Sequence, residues 1–214
     1  MAVAGPEYEC IYADVGYQWE SCWWWCLEQV YAVQVNRRWH YLPSAKCLPF
    51  GLITIPYVFV ADDAFALKQN VMKLYPQHNL TEDKRIFNYR HSRARQISEN
   101  LFGIIANEWH VIRSINLLPP ESTVSLVMAI LVLHNYLRKR ISSKASYCPV
   151  GLVDMEDHNG GFVQRVWGQD SKSESLLPLS VSGHSASNNA KLMRETLKDY
   201  FFAEGTVDWQ FNFC

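Results

Sequence analysis

Three carboxylates carry the most specific chemical signal in the sequence. Asp62 and Asp63 follow an apolar run that reads as a buried strand, and Glu99 lies 37 positions after Asp62 in a segment predicted to be helical. Carboxylate oxygens are preferred ligands of Mg²⁺ and Mn²⁺. Two such ions, held roughly 3.5–4 Å apart, can clamp the attacking and leaving oxygens of a phosphodiester. Asp62 and Glu99 therefore predict a divalent-metal site suited to phosphodiester chemistry.

The same acids also have a simpler interpretation. Asp62 and Asp63 could mark the end of a strand or a turn, and Glu99 could pair with Arg95 one helical turn away. The pattern of acids by itself leaves both interpretations open.

A basic segment with interleaved aromatic residues precedes Glu99. Residues 84–95 read KRIFNYRHSRAR and contain five cations: Lys84, Arg85, Arg90, Arg93 and Arg95. Such a patch could contact phosphates and steer a nucleic acid toward the acids. A net charge of −1 gives the chain no global field, so any such contact depends on a local patch. The alternative is the solvated basic start of a helix.

Two segments are predicted to form the strands that position the acids. YECIYADVG, which ends at Gly16, is short and rich in aromatic and β-branched residues. ITIPYVFVADDAF contains a continuous apolar run from Tyr57 to Val60, typical of a strand buried on both faces, and Pro56 can open it. The second strand would deliver Asp62 at its end.

Helices are predicted between and after the acids. ALKQNVMKLYP is interpreted as a short helix ended by Pro76, and Thr81 is a candidate N-cap for the polar segment that follows. A long helix is predicted from about Ser92, its candidate N-cap, onward. Its apolar stripe has helical spacing: Ile97, Leu101, Ile104 and Ile105.

A second long helix is predicted over ESTVSLVMAILVLHNYLRKRI. It is apolar almost all round and is therefore expected to be central, with basic residues in its last turn. Its apolar part is too short to span a bilayer, so no membrane association is predicted. His134 and Asn135 are expected to cap or brace the core rather than bind metal.

The predicted fold class is α/β with a small mixed sheet and long helices. We expect a domain over residues 1–142, a flexible linker over 143–190, where Gly, Ser and Asn dominate, and a C-terminal helical tail over 191–214 closed by Gly205. No segment resembles a signal peptide, so disulfides between the six cysteines are not expected. Cys22 and Cys26 lack a second Cys/His pair at zinc spacing.

Three segments resemble the nuclease domain of Harbinger-type transposases and their domesticated relatives. They are PYVFVADDAFALKQNVMKLYP, DKRIFNYRHSRARQISENLFGIIANEWHVI and LVLHNYLRK, in order, over roughly residues 40 to 140. The resemblance implies an RNase H-like fold, a DDE triad and cleavage of DNA that depends on Mg²⁺ or Mn²⁺. Residue by residue, Asp62 matches the second acid of the triad and Glu99 the third. It also implies a Myb-like DNA-binding protein as partner and a location in the nucleus, with the cytoplasm as the alternative.

The sequence departs from the pattern of that family at several points. Ala66 stands where Pro is usual, and His91 stands where an apolar residue is usual. The family's first acid lies on an earlier strand that has no counterpart here, and Asp14 matches a different aspartate. We therefore expect a partial RNase H-like domain, truncated before its first strand and impaired in cleavage. The alternative is a non-catalytic remnant that binds DNA or a protein.

The stretch ESCWWWCLEQV, residues 20–30, matches nothing in that family. Its three tryptophans require TGG codons, and one base later these codons read as three glycines, as in the family's Gly-rich segment. We hypothesise that residues 17–41 are a translated frameshift. The alternative is an aromatic core element or a loop unique to this protein, although three adjacent Trp suit neither an alternating strand nor one helix face.

Overall fold

Two compact units are formed by the residues that the computed structural model describes, which are residues 2–15, 43–63, 65–113, 117–149, 151–153, 155–156, 161–163 and 186–213. Within these residues, the hairpin unit comprises 2–15 and 96–163. The C-terminal unit comprises 43–95 and 186–213.

The hairpin unit begins with two antiparallel strands. β1, Ala2–Ala4, pairs with β2, Cys10–Ala13, so that Ala2 lies opposite Ala13. The register shifts between Val3 and Ala4, as it does at a β-bulge. The strand predicted in YECIYADVG is confirmed as β2.

The helix that carries Glu99 is longer than predicted. α1, Glu82–Glu108, is continuous and contributes its first part to the C-terminal unit and its second part to the hairpin unit. Thr81 directly precedes it, as expected of an N-cap, and Glu82 and Asp83 place negative charge in the first turn, where the helix dipole favours it. The prediction of an N-cap at Ser92 is wrong. Ile86 and Phe87 are buried, and their packing extends the helix through a polar stretch that suggested a boundary.

Helices form most of the hairpin unit. A 3₁₀ turn, His110–Ile112, follows α1, and then come α2, Pro120–Lys139, and α3, Ile141–Tyr147. A short antiparallel pair follows, β7 Met155–Glu156 with β8 Phe162–Val163. The predicted stripe of α1 is buried at three of its four positions, and its main cluster also includes residues of β2 and α2. That cluster consists of Cys10, Leu101, Ile105, Ile130 and Leu131.

The prediction that α2 is central is wrong. The helix buries one face, which includes Ile130 and His134, and exposes apolar side chains on the other, among them Val132 and Leu133. Its composition alone could not separate the two faces, because apolar residues occupy both. Within the described residues, no helix is long and apolar enough to cross a membrane.

The C-terminal unit begins with four very short strands. β3, Lys46–Cys47, pairs antiparallel with β4, Thr54–Ile55. β5, Phe59–Val60, pairs in parallel with β6, Val71–Met72. The predicted helix over ALKQNVMKLYP is therefore wrong at its centre. Val71 and Met72 are buried beside β5, and a short apolar run does not distinguish helix from strand by its periodicity.

The strand predicted before Asp62 is present as β5, but the predicted burial of its residues on both faces is wrong. It is interrupted at Pro56, which separates β4 from β5 and lacks the N–H that a ladder requires. Tyr57 is 39% exposed and Val60 38% exposed, so the run is not buried on both faces. Among the described residues, β5 pairs with one neighbour, β6.

The last helix completes the core of the C-terminal unit. α4, Asn188–Phe202, begins at Ser187, whose hydroxyl accepts the Ala190 N–H at 3.2 Å. Its end is closed as predicted near Gly205, whose N–H donates to the Tyr200 carbonyl at 2.8 Å. The buried core contains residues from the β6 region, α1 and α4: Leu67, Met72, Tyr75, Phe87, Ala190 and Leu197.

The architecture is mixed α/β. Among the described residues there are four helices and four two-stranded sheets, with both parallel and antiparallel pairing. The predicted boundaries at residues 142 and 190 stay predictions. The tryptophans Trp23, Trp24 and Trp25, the frameshift hypothesis for residues 17–41 and the Cys22/Cys26 pair lie outside the described residues.

Candidate metal and nucleic-acid site

Asp62 lies where strand β5 ends in the C-terminal unit. The N–H of Ala61 donates to the carbonyl of Met72 at 2.9 Å, which continues the ladder between β5 and β6 up to the residue before Asp62. The Asp62 carbonyl then accepts the N–H of Phe65 at 3.3 Å, which turns the chain. Asp62 follows the strand end, as predicted, and is half-buried.

Asp63, the next residue, contacts Lys73. Lys73, the residue after β6, donates to the Asp63 carbonyl at 3.1 Å, and its Nζ lies 3.7 Å from Asp63 Oδ1. The Asp63 side chain is largely exposed, so this ion pair contributes little to stability. The hydrogen bond from Lys73 to the Asp63 carbonyl restrains the main chain directly after Asp62.

His91, which departs from the family pattern, is buried in the C-terminal unit, with 5% of its surface exposed. Its Nε2 donates to the same Met72 carbonyl, at 2.9 Å. Burial lowers the pKa of the ring and nearby Arg95 lowers it further, against opposing effects of the Met72 hydrogen bond and of Asp63. The ring is therefore neutral at physiological pH and carries its proton on Nε2.

Glu99 lies on α1 within the hairpin unit and is half-buried. Asp62 and Glu99 thus fall in different units, and Asp14, directly after β2, falls in the unit of Glu99. Within the part of the chain that is described, no group of three or more His, Cys, Asp or Glu side chains could hold a metal ion. The oxygen chemistry of the two acids fits Mg²⁺ or Mn²⁺.

The five predicted phosphate-binding cations have different surroundings. Arg85 is exposed near the start of α1. Lys84 lies 5.5 Å from the centroid of the Tyr75 ring. Arg95 lies close enough to His91 to affect its pKa. By helical spacing Lys84 and Arg95, 11 positions apart, lie along nearly the same face of α1, whereas Arg85 is rotated from Lys84 by about 100°.

Arg90 is held by the end of the chain. Its Nη1 lies 3.5 Å from the Gly205 carbonyl and 3.4 Å from Gln210 Oε1, and its guanidinium lies 5.0 Å from the centroid of the Phe201 ring. Burial and the charge of Arg93 lower its pKa. Gln210 is fully buried and donates to the Phe201 carbonyl and the Thr206 hydroxyl. Arg90 therefore connects α1 to the C-terminal segment.

Arg93 contacts two neighbouring aromatic rings, those of Trp209 and Tyr89. Its guanidinium is 4.2 Å from the centroid of Trp209 and 5.7 Å from that of Tyr89. Contacts of this kind are favourable cation–π interactions. They also restrain the orientation of the arginine side chain on the surface of α1.

His134 and Asn135 brace the core, as predicted. Asn135 accepts the N–H of Cys10 and donates to its carbonyl, both at 2.8 Å, and so pairs with β2 as a strand would. His134 Nε2 donates to the Tyr8 carbonyl at 2.7 Å, and its Nδ1 accepts the hydroxyl of Tyr147 at 2.9 Å. Burial lowers the His134 pKa. Both His134 nitrogens and both Asn135 polar groups are therefore satisfied.

Sequence reasoning missed three features of this region. They are the contact of His91 with β6, the ion pair that orders Asp63, and the contacts of Arg90 and Arg93 with the C-terminal segment. A signal existed for the first, because His91 departed from the family pattern. The contacts of the arginines join residues more than 100 positions apart, and no local pattern predicts such a pairing.

One comparison with known proteins gives a match. The family model of the DDE superfamily endonuclease matches residues 42–135, which is less than half of the chain. No curated protein and no solved structure gives a significant match. The matched stretch includes Asp62, Glu99 and all five cations of α1. Residues 42–135 of this chain are therefore similar to the DDE superfamily endonuclease domain.

Proposed function

We propose that this protein carries a transposase-derived, divalent-metal-dependent endonuclease domain that acts on phosphodiester bonds of DNA. The observation that carries the proposal is the match of residues 42–135 to the DDE superfamily endonuclease. The position of Asp62 at the end of β5 supports it, since a strand end places a carboxylate on a rigid element. The Harbinger-type resemblance gives the proposed subfamily, the nucleus as proposed location and a Myb-like protein as proposed partner.

Asp62 and Glu99 are the proposed metal ligands and catalytic acids. A divalent ion at these carboxylates would stabilise the charge that develops on the phosphate oxygens during displacement. The chain's own contribution is to present one acid from a strand end and the other from a long helix. With the second and third acids of the triad matched and the first unmatched, we propose that cleavage by this chain is weak. Asp14 is the carboxylate to test as a substitute for the first acid.

The basic residues of α1 are the proposed contacts to the DNA backbone. Arg85 is exposed and suited to contact a phosphate, whereas Arg90 is half-buried against Gln210 and Gly205. Phosphate contacts supply affinity and its dependence on salt, with a slope of about 0.9 per neutralised phosphate. We propose that Arg85 contributes to that slope and that Arg90 acts mainly through the fold.

A second candidate function is a non-catalytic module that binds DNA or a protein. The absence of a three-residue metal-binding cluster among the described residues favours this alternative. The two candidates make opposite predictions for metal binding, whereas both allow DNA binding.

The test combines metal binding with DNA cleavage. Titration with Mn²⁺, followed by calorimetry and by electron paramagnetic resonance, should show binding that Asp62→Asn and Glu99→Gln each weaken by about tenfold or more. Asp63→Asn is the matched control, since Asp63 is adjacent but pairs with Lys73. Weak nicking of supercoiled DNA in Mn²⁺ should disappear with either variant. Saturable metal binding that neither variant alters would overturn the assignment of the two acids.

The absence of Mn²⁺ binding together with salt-dependent DNA binding would select the non-catalytic function. DNA affinity measured between 0.05 and 0.2 M salt then separates the roles of the cations. Arg85→Ala should lower the salt slope by about one. Lys139→Ala, an exposed cation outside the basic segment, is the control and should leave the slope unchanged.

A further inference from the structure

The carbonyl of Met72 receives two hydrogen bonds from different parts of the C-terminal unit. One comes from the N–H of Ala61, the other from Nε2 of His91, each at 2.9 Å. A carbonyl oxygen has two lone pairs, so both bonds can form at once. The oxygen at the end of β6 thereby links the residue before Asp62 to helix α1.

The chemistry of the acceptor fixes the role of the imidazole. A carbonyl can only accept, so Nε2 carries the proton and Nδ1 has a lone pair. Among the described residues Nδ1 has no hydrogen-bond partner. Within the described part of the chain, the hydrogen bond to Met72, at the end of β6, is therefore the one hydrogen bond of the His91 ring.

The remainder of the ring is placed as an apolar side chain would be. Its centroid lies 5.9 Å from that of the buried Phe87 ring. A leucine could fill such a site without burying an unpartnered nitrogen, and burying a polar atom without a partner is unfavourable. Packing alone therefore does not explain a histidine here, but the hydrogen bond to Met72 does.

The main chain on both sides of Asp62 is held by the end of β6. Ala61 bonds to Met72 before the acid, and Lys73 donates to the Asp63 carbonyl after it. His91 is the group that ties this end of β6 to α1. A shift of β6 relative to α1 would move both attachment points of the Asp62 main chain together.

We propose that His91 is a positioning residue, which acts through the Met72 carbonyl to fix the main chain that presents Asp62. The inference deepens the proposed function, on which the assignment of Asp62 as a metal ligand rests. His91 itself touches neither metal nor DNA in this role. Its contribution is the orientation of the Asp62 carboxylate.

The experiment compares three variants of the full chain by amide hydrogen exchange and by Mn²⁺ titration. His91→Leu removes the donor and keeps the volume. His91→Gln keeps a donor, because the terminal nitrogen of glutamine can reach the place of Nε2. Asn88→Leu is the matched control. Asn88 is also buried, but it binds the main chain elsewhere: it accepts the N–H of Tyr75 and donates to the Tyr75 carbonyl.

His91→Leu should speed exchange of the Ala61 amide by about threefold to tenfold, which is the range expected for the loss of one hydrogen bond. This factor is taken after correction for any change in the stability of the whole unit, which urea unfolding measures. The Mn²⁺ affinity should fall by a similar factor. His91→Gln should restore most of both. Asn88→Leu should speed exchange at Tyr75 and leave Ala61 and the Mn²⁺ affinity unchanged after the same correction.

Equal acceleration at Ala61 and Tyr75 in His91→Leu, or no recovery in His91→Gln, would overturn the positioning role. Failure of the proposed function is a separate outcome. In that case the wild-type chain binds no Mn²⁺, or it binds Mn²⁺ with an affinity that Asp62→Asn does not change. In that outcome the exchange of Ala61 still decides whether His91 fixes this main chain.

Discussion

The hairpin unit and the C-terminal unit attach distant segments to a long helix in different ways. In the hairpin unit, side chains of α2 bind main-chain groups: Asn135 pairs with Cys10, His134 binds the Tyr8 carbonyl, and Arg138 donates to the Glu7 carbonyl at 2.7 Å. The attachments are mostly hydrogen bonds of neutral groups. They secure a segment near the start of the chain to a helix more than 120 positions later.

In the C-terminal unit, charged side chains meet one another. Lys198 on α4 lies 2.8 Å from carboxylate oxygens of both Asp83 and Glu195, and its side chain is only 12% exposed. Tyr75 donates to Glu195 at 2.9 Å, and Arg194 lies 4.0 Å from the centroid of the Tyr75 ring. The charge of Lys198 helps to lower the pKa of Asp83 to about 2.

Because of this difference, the stabilities of the two units should respond differently to salt and pH. Buried neutral hydrogen bonds are insensitive to salt, and they depend on pH only where an imidazole takes part. Ion pairs near the surface weaken with salt and with protonation of their carboxylates. The proposed acids fall one in each unit, so conditions that loosen one unit should affect one acid before the other.

The largest expected effect is that of His134→Ala. The substitution leaves a cavity at a fully buried position and removes the partner of the Tyr8 carbonyl and the Tyr147 hydroxyl. We expect destabilisation of the hairpin unit by about 3 kcal/mol. Hydrogen exchange with mass spectrometry should show lost protection in residues 2–15 and 120–139, with residues 188–202 changed much less. His110→Ala, at an exposed position of the same unit, is the control. Equal loss of protection in both units would mean that the two units unfold as one cooperative structure.

The converse change is Lys198→Met in the C-terminal unit. It leaves Asp83 and Glu195 close together without their shared cation. Both carboxylates keep some contact with water, so we expect about 1–2 kcal/mol of destabilisation, less than for a fully buried pair. Lys191→Met, on an exposed face of α4, is the matched control. Loss of protection in residues 2–15 would contradict the independence of the two units.

Mild acid should destabilise both units through their buried histidines. Burial lowers the folded-state pKa of His134 and of His91 below the unfolded value of about 6.5, so the unfolded chain takes up the protons first. Stability should therefore be fully present above that value and fall as the pH drops below it, by up to about 1.4 kcal/mol per pH unit for each histidine. Urea unfolding at pH 7.5, 6.5 and 5.5 measures the slope. His134→Gln should reduce it in the hairpin unit only.

A second acid transition should occur in the C-terminal unit alone. The pKa of Asp83 is lowered from its ordinary value of 3.8 to about 2, so the stabilisation that it provides is present above pH 4 and is lost toward pH 2. Lys198→Met should shift this transition to higher pH. A transition of the same size in residues 2–15 would show that carboxylates also stabilise the hairpin unit.

The smallest expected effect is that of salt. Raising NaCl from 0.05 to 0.5 M should lower the stability of the C-terminal unit by a few tenths of a kcal/mol, because added ions screen the partly exposed carboxylates around Lys198. The hairpin unit should respond less, because its ion pair between Lys144 and Glu7 is exposed and contributes little to stability. Lys198→Met removes the main ion cluster and should abolish the difference between the units.

Parts of the fold were predictable where a long helical pattern of apolar residues agreed with the packing of those residues in the core. The buried stripe of α1, the extent of α2 and the bracing role of His134 and Asn135 all followed from the sequence. The short run at Val71 and Met72 did not, because a few apolar residues fit a helix or a strand equally well until β5 is there to pair with them. The boundary at Ser92 failed for a related reason, since buried Ile86 and Phe87 extend the helix through polar residues.

Of the site, the sequence by itself determined the kinds of groups: the acids Asp62 and Glu99, the cations of α1, and an odd histidine at position 91. These are properties of residue type and spacing, and all of these residues lie within residues 42–135, the stretch that is similar to a DDE superfamily endonuclease. Only the tertiary structure decided which groups are engaged. Arg90 is held by Gln210, and His91 reaches Met72, because contacts between residues far apart in sequence depend on how the chain folds back. Local pattern cannot encode that pairing, since each partner would look the same if it faced water.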